Sequence, residues 1–307
     1  MSVTVRVPAK VNVQLAVGGL RADGFHDLAN VFLAVALHDE VTATHAETLR
    51  LTVSGPDADL VPLDGSNLAA RAARALADHH GLGEPAVHLH IDKDVPVAGG
   101  MAGGSADAAG ALLACDALWG TRTPQADLLA LCAELGSDVP FSLVGGAALG
   151  QGRGELLTAL EVGGTFHWVI AVADGGLSTP AVYRECDRLR ATSGAGASAT
   201  DVAAPEASAE LLAALRAGDA GALAGALAND LQPAAVSLRP ALADTLAAGA
   251  AAGALAGLVS GSGPTCAFLT KDAEDAVSVA AALSASPLCR TARATTSPAP
   301  GATVLPS

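Results

Sequence analysis

Residues 96–109 read PVAGGMAGGSADAA and place four glycines within six positions, where an alternating segment gives way to an alanine-rich one. A glycine-rich loop that leads into a helix exposes several backbone N–H groups and the positive end of the helix dipole, and both suit a phosphate group. The stretch contains neither Gly-Lys-Ser/Thr nor GxGxxG, so it matches neither familiar nucleotide loop. The alternative is a tight turn, which needs only one or two glycines. We therefore expect a phosphate-binding loop.

Three further stretches combine reactive side chains with a defined local structure. Lys10 and Asn12 lie two residues apart in an alternating segment, so they would point to the same face of a strand. Asp138 stands at the predicted start of a short helix, because Pro140 suits a first turn behind an acidic cap. The segment SGSGPT at 260–265 is a second glycine-rich turn. Taken alone, each has a simpler interpretation as a solvated strand face, a helix cap or a hairpin turn.

Histidines add two weaker candidates. His88 and His90 could share a metal ion, but no third ligand is evident, and a solvated strand face is the simpler interpretation. His26 lies beside Phe25 in a polar loop, where ligand binding is possible.

The elements that would position these residues mix strands and helices without a strict βαβ alternation, which favours the α+β class. Ser105 is expected to cap the helix that follows the glycine-rich loop, with Asp107 in its first turn. Strands are expected at 3–7, 10–17, 41–53, 87–92, 168–172, 255–260 and 265–270, and helices at 68–80, 105–118, 124–135, 180–189, 210–217, 219–228 and 239–252.

A boundary near residue 160 would divide the chain into two domains of similar size, 1–160 and 161–307. Residues 191–209, ATSGAGASATDVAAPEASA, are of low complexity and are expected to form a flexible surface insertion.

The 307-residue chain has a net charge of −14 and no run of lysines or arginines, which argues against nucleic acid or an anionic membrane as a partner. A small-anion site stays possible, because such sites are local. The uncharged segment 245–270 is poor in large aliphatic side chains and broken by SGSGP, so it predicts a soluble helix, a turn and a strand rather than a membrane span. Five scattered cysteines and an N-terminus without an apolar signal core favour the cytoplasm.

Together, these segments resemble the GHMP kinases, in which they occur in the same order. The resemblance spans nearly the whole chain apart from 191–209 and the C-terminal tail. It implies a two-domain α+β fold whose active site lies in the cleft between the domains. The segments that carry it are PAKVN at 8–12, ADGFH at 22–26, PVAGGMAGGSADAA at 96–109, GSDVPF at 136–141 and SGSGPT at 260–265.

The resemblance also implies an activity, which is the ATP-dependent phosphorylation of a small molecule, the cytidine diphosphate derivative of methylerythritol, on its 2-hydroxyl group. Asp138 would be the catalytic base, beside Lys10 and in contact with the substrate. Asn12, Phe25 and His26 would bind the substrate, with His26 on the cytosine. Mg²⁺ would arrive with ATP, with the Ser105 hydroxyl as a ligand. The residues expected to bind ATP are Asn67, near the adenine, and Pro96, Val97, Ala98, Gly99, Gly100, Met101, Ala102, Gly103, Gly104, Ser105 and Ala106.

Two departures from the family pattern stand in the motifs. Phe25 replaces a common tyrosine and keeps the ring without its hydroxyl, and Met101-Ala102 replaces a common Leu-Gly. Two rival hypotheses remain: a GHMP enzyme acting on another alcohol, such as homoserine or mevalonate, and a catalytically silent sensor. The segment ADGFH argues against the first, and retention of both Lys10 and Asp138 argues against the second. The sequence leaves open a monomer or a homodimer.

Overall fold

The computed structural model describes residues 2–97, 99–192 and 202–306, and it combines two β-sheets with helices as expected for the α+β class. Ala98 of the expected phosphate loop and residues 193–201 of the expected insertion lie outside the described residues. The elements up to residue 160 are β1 (Ser2–Leu20), β2 (His26–His45), β3 (Arg50–Ser54), a 3₁₀ turn (Ala58–Leu60), α1 (Leu68–His79), β4 (Val87–Asp92), α2 (Gly103–Trp119), α3 (Gln125–Leu135), α4 (Val139–Val144), β5 (Ala147–Gln151) and β6 (Leu156–Ala159).

The elements after residue 160 begin with β7, the first strand of the second sheet. They are β7 (Phe166–Val172), α5 (Thr179–Thr192), α6 (Ala209–Ala217), α7 (Ala220–Ala226), β8 (Ala228–Asn229), α8 (Gln232–Leu238), α9 (Ala241–Ala251), β9 (Ala256–Val259), β10 (Cys266–Thr270), α10 (Ala273–Ser284), β11 (Thr291–Ser297) and β12 (Thr303–Val304).

The larger sheet is built on the antiparallel pair of β1 and β2, and its main path runs β12-β1-β2-β4-β3. Pro8, expected to separate two strands, lies inside one continuous strand. The register shifts between Pro8 and Ala9, and such an irregularity tolerates a residue that has no N–H to donate. Strand β1 therefore extends past Pro8 and carries Lys10 and Asn12 in the middle of the sheet.

The smaller sheet has the order β11-β7-β10-β9. Gly249 of α9 and Gly257 of β9 both face Phe268 of β10, and a Cβ atom at either glycine would overlap its ring. The uncharged segment thus forms a helix, a turn and strands, as expected. Within the described residues, no helix is long and apolar enough to cross a membrane. Two short strands from beyond residue 160, β8 and β12, pair with β1 and tie the two halves together.

The C-terminal side of the expected insertion is held against the larger sheet. Residues 202–208 have no regular secondary structure. The Gln14 side chain donates to the Glu206 carbonyl oxygen at 2.8 Å and accepts the Ser208 N–H at 2.8 Å. Ser208 also caps α6 by accepting the N–H of Leu211. Glu206 and Ser208 of the expected insertion are thus hydrogen-bonded to β1, and Ala209 begins α6.

Two ion pairs join arginines at β11 to acids that lie near the start of the glycine-rich loop. Asp57 accepts from both terminal nitrogens of Arg290, at 2.5 and 2.9 Å, and also from the Val97 N–H at 3.1 Å. Arg293 pairs with Asp94 at 2.5 Å. The start of the loop is thereby fixed to β11 from the second half of the chain.

Asp57→Asn is expected to lower the free energy of unfolding at neutral pH by about 1–3 kcal/mol, the cost of weakening a hydrogen-bonded charged pair. The hydrogen bonds from Arg290 hold the pKa of the Asp57 carboxyl below its usual range. A lowered pKa in the folded state means that the stabilisation is complete above the ordinary aspartate pKa and is lost as the pH falls through the folded pKa. Urea unfolding of both proteins should therefore show a difference that shrinks towards pH 3.

The matched control for this prediction is Asp59→Asn, an exposed acid in the adjacent 3₁₀ turn. It should change stability little at either pH. An Asp57→Asn effect of the same size at pH 7 and pH 3 would contradict the ionic origin of the contact.

Candidate active site

The glycine-rich loop leads directly into α2, but the helix begins earlier than expected. Ser105 is not its cap: the helix starts at Gly103, and Ala102 occupies the cap position with a φ of 60°. The first intrahelical hydrogen bond runs from the Ala106 N–H to the Ala102 carbonyl oxygen at 2.8 Å. The N–H groups of Gly103, Gly104 and Ser105 therefore have no partner within the helix. They form the row of donors that a phosphate group requires.

The left-handed conformation of Ala102 carries a steric cost, because its Cβ crowds the following carbonyl. Ala102→Gly is expected to raise the free energy of unfolding by up to about 1 kcal/mol, after the greater flexibility of glycine in the unfolded chain is offset. Chemical denaturation measures this change. The control is Ala106→Gly in the same helix, where the φ is ordinary and the substitution should be destabilising. If Ala102→Gly and Ala106→Gly destabilise the protein equally, the left-handed conformation of Ala102 is contradicted.

The loop also contacts the second glycine-rich turn. The Gly99 carbonyl oxygen accepts the Thr265 N–H at 3.3 Å, and the Gly100 carbonyl oxygen accepts the Ser260 hydroxyl at 3.2 Å. Gly100 has a φ of 76°, and a Cβ atom there would collide with the carbonyl oxygen of Ser260. The two glycine-rich motifs therefore meet in one place, and glycine is required at the point of contact.

Lys10 lies at the centre of this arrangement. It is 5% exposed, and its ammonium group donates to Asn12 Oδ1 at 2.7 Å and to the Gly100 carbonyl oxygen at 2.9 Å. The same Nζ lies 3.5 Å from Asp138 Oδ2. Asn12 in turn donates to Asn30 Oδ1 at 2.7 Å. Burial lowers the pKa of Lys10, and the charge of Asp138 opposes this shift.

Asp138 directly precedes α4, as expected, but its carboxylate makes no capping hydrogen bond. The side chain is 29% exposed. The simpler interpretation as a helix cap therefore does not describe this residue. Its carboxylate is free to face Lys10 and the open space beside it.

A cavity of about 900 Å³ opens in front of Lys10 and Asp138, and we call it the central cavity. Residues from all five motifs line it. The predicted site residues among its lining are Lys10, Asn12, Phe25, His26, Gly99, Gly100, Ala102, Gly103, Gly104, Ser105 and Asp138. The reactive side chains, Lys10 and Asp138, and the N–H groups at the start of α2 therefore face the same cavity.

Five of the expected ATP-binding residues do not line the central cavity. Asn67 is 5% exposed, and its amide caps α1 by accepting the Ala69 N–H and also donates to the Pro62 carbonyl oxygen. Pro96 is buried, and Val97 donates its N–H to Asp57. Met101 and Ala106 are fully buried in the hydrophobic cores. These residues therefore serve the packing and hydrogen bonding of the protein itself.

Gly104→Val should raise the KM for ATP by about tenfold or more, equivalent to at least ~1.4 kcal/mol. The nearest atom to a Cβ at this position is Leu68 Cδ1 at 3.7 Å, so the protein accommodates the side chain. The added methyl groups would instead stand over the exposed helix amides. The matched control is Gly225→Val in α7, where nothing lies within 4 Å. An unchanged KM for ATP in Gly104→Val would show that no phosphate approaches this helix start.

A buried ion cluster beneath the loop was not predicted from the sequence. Lys93 contacts Asp39 at 2.5 Å and Asp107 at 3.0 Å, and all three side chains are almost fully buried. Burial acts to lower the pKa of Lys93, but the two carboxylates outweigh it and raise the pKa. Asp107, expected in a first turn, is thus part of this cluster. A Cβ at Gly103 would lie 3.1 Å from Lys93 Nζ, so the cluster supports the start of α2.

The lining of the central cavity also includes residues of α5, which none of the five sequence motifs contains. His26 Nε2 lies 3.0 Å from Asp187 Oδ1, and its ring stacks on Tyr183 with centroids 5.1 Å apart. Arg153 lies over the Phe25 ring at 5.1 Å. In the sequence, Tyr183 and Asp187 are four residues apart on the helix expected at 180–189, a spacing that places both side chains on one helix face.

The other histidine candidates have structural partners. His88 and His90 both hydrogen-bond to Thr52, and His90 also to Ser54, on the neighbouring strand β3. Across the ranges that the structure describes, no group of three or more His, Cys, Asp or Glu residues could hold a metal ion.

Comparison with known proteins found two matching family models and close relatives of a single name. The GHMP kinases N terminal domain matches residues 67–146, and the GHMP kinases C terminal domain matches 211–287. A Streptomyces avermitilis protein named 4-diphosphocytidyl-2-C-methyl-D-erythritol kinase is 73% identical over 99% of this chain and 100% of its own length. A Streptomyces coelicolor protein of the same name is 68% identical over 99% and 100%.

Solved structures agree in fold. The crystal structure of a 4-(cytidine 5'-diphospho)-2C-methyl-D-erythritol kinase is 31% identical, with a TM-score of 0.76 over 95% of this chain and 98% of that one. A homoserine kinase from Cytophaga hutchinsonii has a TM-score of 0.72 over 99% and 97%, but at 20% identity it shows the fold alone.

Proposed function

The chain belongs to the GHMP kinases and, among them, to the 4-diphosphocytidyl-2-C-methyl-D-erythritol kinases, and from this premise we propose how its residues act. The reaction transfers the γ-phosphate of ATP to the 2-hydroxyl group of 4-diphosphocytidyl-2-C-methyl-D-erythritol, giving the 2-phosphate and ADP, in non-mevalonate isoprenoid precursor biosynthesis. The observation that carries the assignment of roles is the 3.5 Å approach of Lys10 Nζ to Asp138 Oδ2 in the cavity that the α2 amides also line.

Asp138 orients the substrate hydroxyl and accepts its proton as the oxygen–phosphorus bond forms. Lys10 keeps the carboxylate ionised and stabilises negative charge on the attacking oxygen. Phosphoryl transfer passes through a loose transition state, so alignment of the hydroxyl and neutralisation of the phosphate oxygens supply most of the acceleration. The proton ends on Asp138, and the leaving group is ADP.

The fit of ATP rests on the N–H groups of Gly103, Gly104 and Ser105, which have no partner within α2. Because a Cβ at Gly104 would meet nothing nearer than 3.7 Å, the space over the helix start is open to a phosphate. The hydrogen bond from Lys10 to Gly100 ties the catalytic lysine to the same loop.

Mg²⁺ fits this site as an ion carried largely by phosphate oxygens and water, which is its usual mode in kinases. The Ser105 hydroxyl, which lines the central cavity, would hold it on the protein side. The ion would neutralise charge on the transferring phosphate.

The substrate end of the cavity combines rings and cations. Phe25, His26 and Tyr183 supply flat surfaces for the cytosine, and Arg153 and Arg184 line the same cavity. A chain with a net charge of −14 that gathers arginines here provides local attraction for a diphosphate. The five cysteines, all free thiols, fit the cytoplasmic location that we propose.

The experiment that tests the proposal measures ADP release with 4-diphosphocytidyl-2-C-methyl-D-erythritol, homoserine and mevalonate as separate acceptors. Turnover should be confined to the first, and the product should carry the new phosphate on the 2-hydroxyl group. Turnover with homoserine or mevalonate alone would favour the rival GHMP activity. ATP binding without turnover of any acceptor would favour a sensor.

A further inference from the structure

Two side chains on one face of α5 contact the imidazole ring of His26. It begins β2 in the first half of the chain and is 7% exposed. Its Nε2 lies 3.0 Å from Asp187 Oδ1, and its ring stacks on Tyr183 at an interplanar angle of 28°. Residues four apart lie on the same face of a helix, so Tyr183 and Asp187 act on the ring together. The orientation of the imidazole is therefore fixed.

The contact with Asp187 also determines where the ring proton lies. A carboxylate can only accept, so Nε2 must donate, and in a neutral imidazole Nδ1 is then an acceptor. Among the described residues, Nδ1 of His26 has no hydrogen-bond partner, and the ring lines the central cavity. The neutral His26 ring thus offers a ligand Nδ1 as a hydrogen-bond acceptor, and the contact of Nε2 with Asp187 selects this tautomer.

We propose that Asp187 is a positioning residue that fixes the His26 tautomer and thereby makes the site select cytosine over uracil. Cytosine carries an exocyclic amino group, which donates to an acceptor. Uracil carries an oxygen at the same position, which would face the Nδ1 lone pair and leave two acceptors opposed. This inference rests on the proposed function, because it assumes that the base lies against His26.

The test is the equilibrium binding of CDP and of UDP to the full chain by calorimetry. The wild-type protein should prefer CDP. In Asp187→Asn the side chain keeps its shape, but its amide can turn to present either a donor or an acceptor to Nε2, which frees the tautomer. The ratio of CDP to UDP affinity should fall by about tenfold in this variant.

Two further readouts separate selectivity from a general loss of structure. Asp187→Asn should raise the KM for the cytidine substrate with little change in kcat. The matched control is Glu185→Gln on the same helix, whose carboxylate contacts Arg188 and Ser237 instead, and it should leave the ratio unchanged. If Asp187→Asn weakens CDP and UDP equally, or neither, the role of Asp187 is overturned.

His26→Ala distinguishes failure of this inference from failure of the proposed function. It should abolish the preference for CDP. If it does so while Asp187→Asn keeps the preference, the inference fails and the cytidine site stands. If the wild-type protein binds CDP and UDP equally, or His26→Ala keeps the preference, the placement of cytosine at His26 fails, and this inference fails with it.

Discussion

Asp138→Asn is expected to lower kcat by about 10²–10⁴-fold, the range for loss of a positioned general base. An amide has the size of the carboxylate, but it neither takes up the hydroxyl proton nor pairs with the charge of Lys10, 3.5 Å away. The native carboxylate makes no capping hydrogen bond, so α4 should keep its structure. Single-turnover formation of ADP measures the loss, and calorimetry should show ATP binding close to that of the wild type.

The matched control for Asp138→Asn is Asp127→Asn, an acid on α3 whose side chain is half-buried and lies outside the central cavity. It should leave kcat unchanged. Turnover of Asp138→Asn within a few-fold of the wild type would remove Asp138 from the role of base.

Lys10→Met is expected to lower kcat by about 10²–10³-fold, comparable to the loss of one preorganised donor in a buried site. The change removes the cation beside Asp138 and leaves Asn12 Oδ1 without its donor. The Gly100 carbonyl oxygen loses one of its two donors and keeps the Ser260 hydroxyl. An unsatisfied buried acceptor costs about 1–3 kcal/mol of stability, so assays belong well below the unfolding temperature. The matched control is Lys271→Met on the surface, which should be fully active.

The pH dependence of the wild-type enzyme adds a second readout for Lys10. Because burial lowers the pKa of Lys10, its ammonium form is lost at a pH below the ordinary lysine value. Activity that needs the charge should therefore fall on the alkaline side, earlier than for an exposed lysine. Lys10→Met should lack this limb. Turnover of Lys10→Met within tenfold of the wild type would contradict its role.

Local patterns in the sequence predicted the parts of the site that depend on neighbouring residues. Alternation placed Lys10 and Asn12 on one strand face, and their hydrogen bond confirms it. The predicted start of α2 at Ser105 was wrong. Cap propensity favours Ser105, whereas the helix begins two residues earlier, at Gly103, behind Ala102 in a left-handed conformation. A preference of about 1 kcal/mol for a capping serine is easily overridden by tertiary contacts.

Contacts between distant residues could not be read from the sequence. Lys93 and Asp39 are 54 positions apart, His26 and Asp187 are 161 apart, and Asp57 and Arg290 are 233 apart. Each pair depends on how the sheets and helices pack. His26 stands out in the sequence, but its partner Asp187 and both members of the other two pairs resemble any other charged residue. The fold class was predicted, but the residues that hold the glycine-rich loop and the His26 ring emerge only from the packed chain.

On the proposed function, one cavity joins a phosphate-transfer site to a cytidine site. This is tested by comparing ADP release with 4-diphosphocytidyl-2-C-methyl-D-erythritol and with the same methylerythritol alcohol lacking the cytidine diphosphate. We predict rapid turnover of the first and little or none of the second. Equal turnover of the two alcohols would contradict the claim, because the residues around His26 would then contribute nothing to recognition.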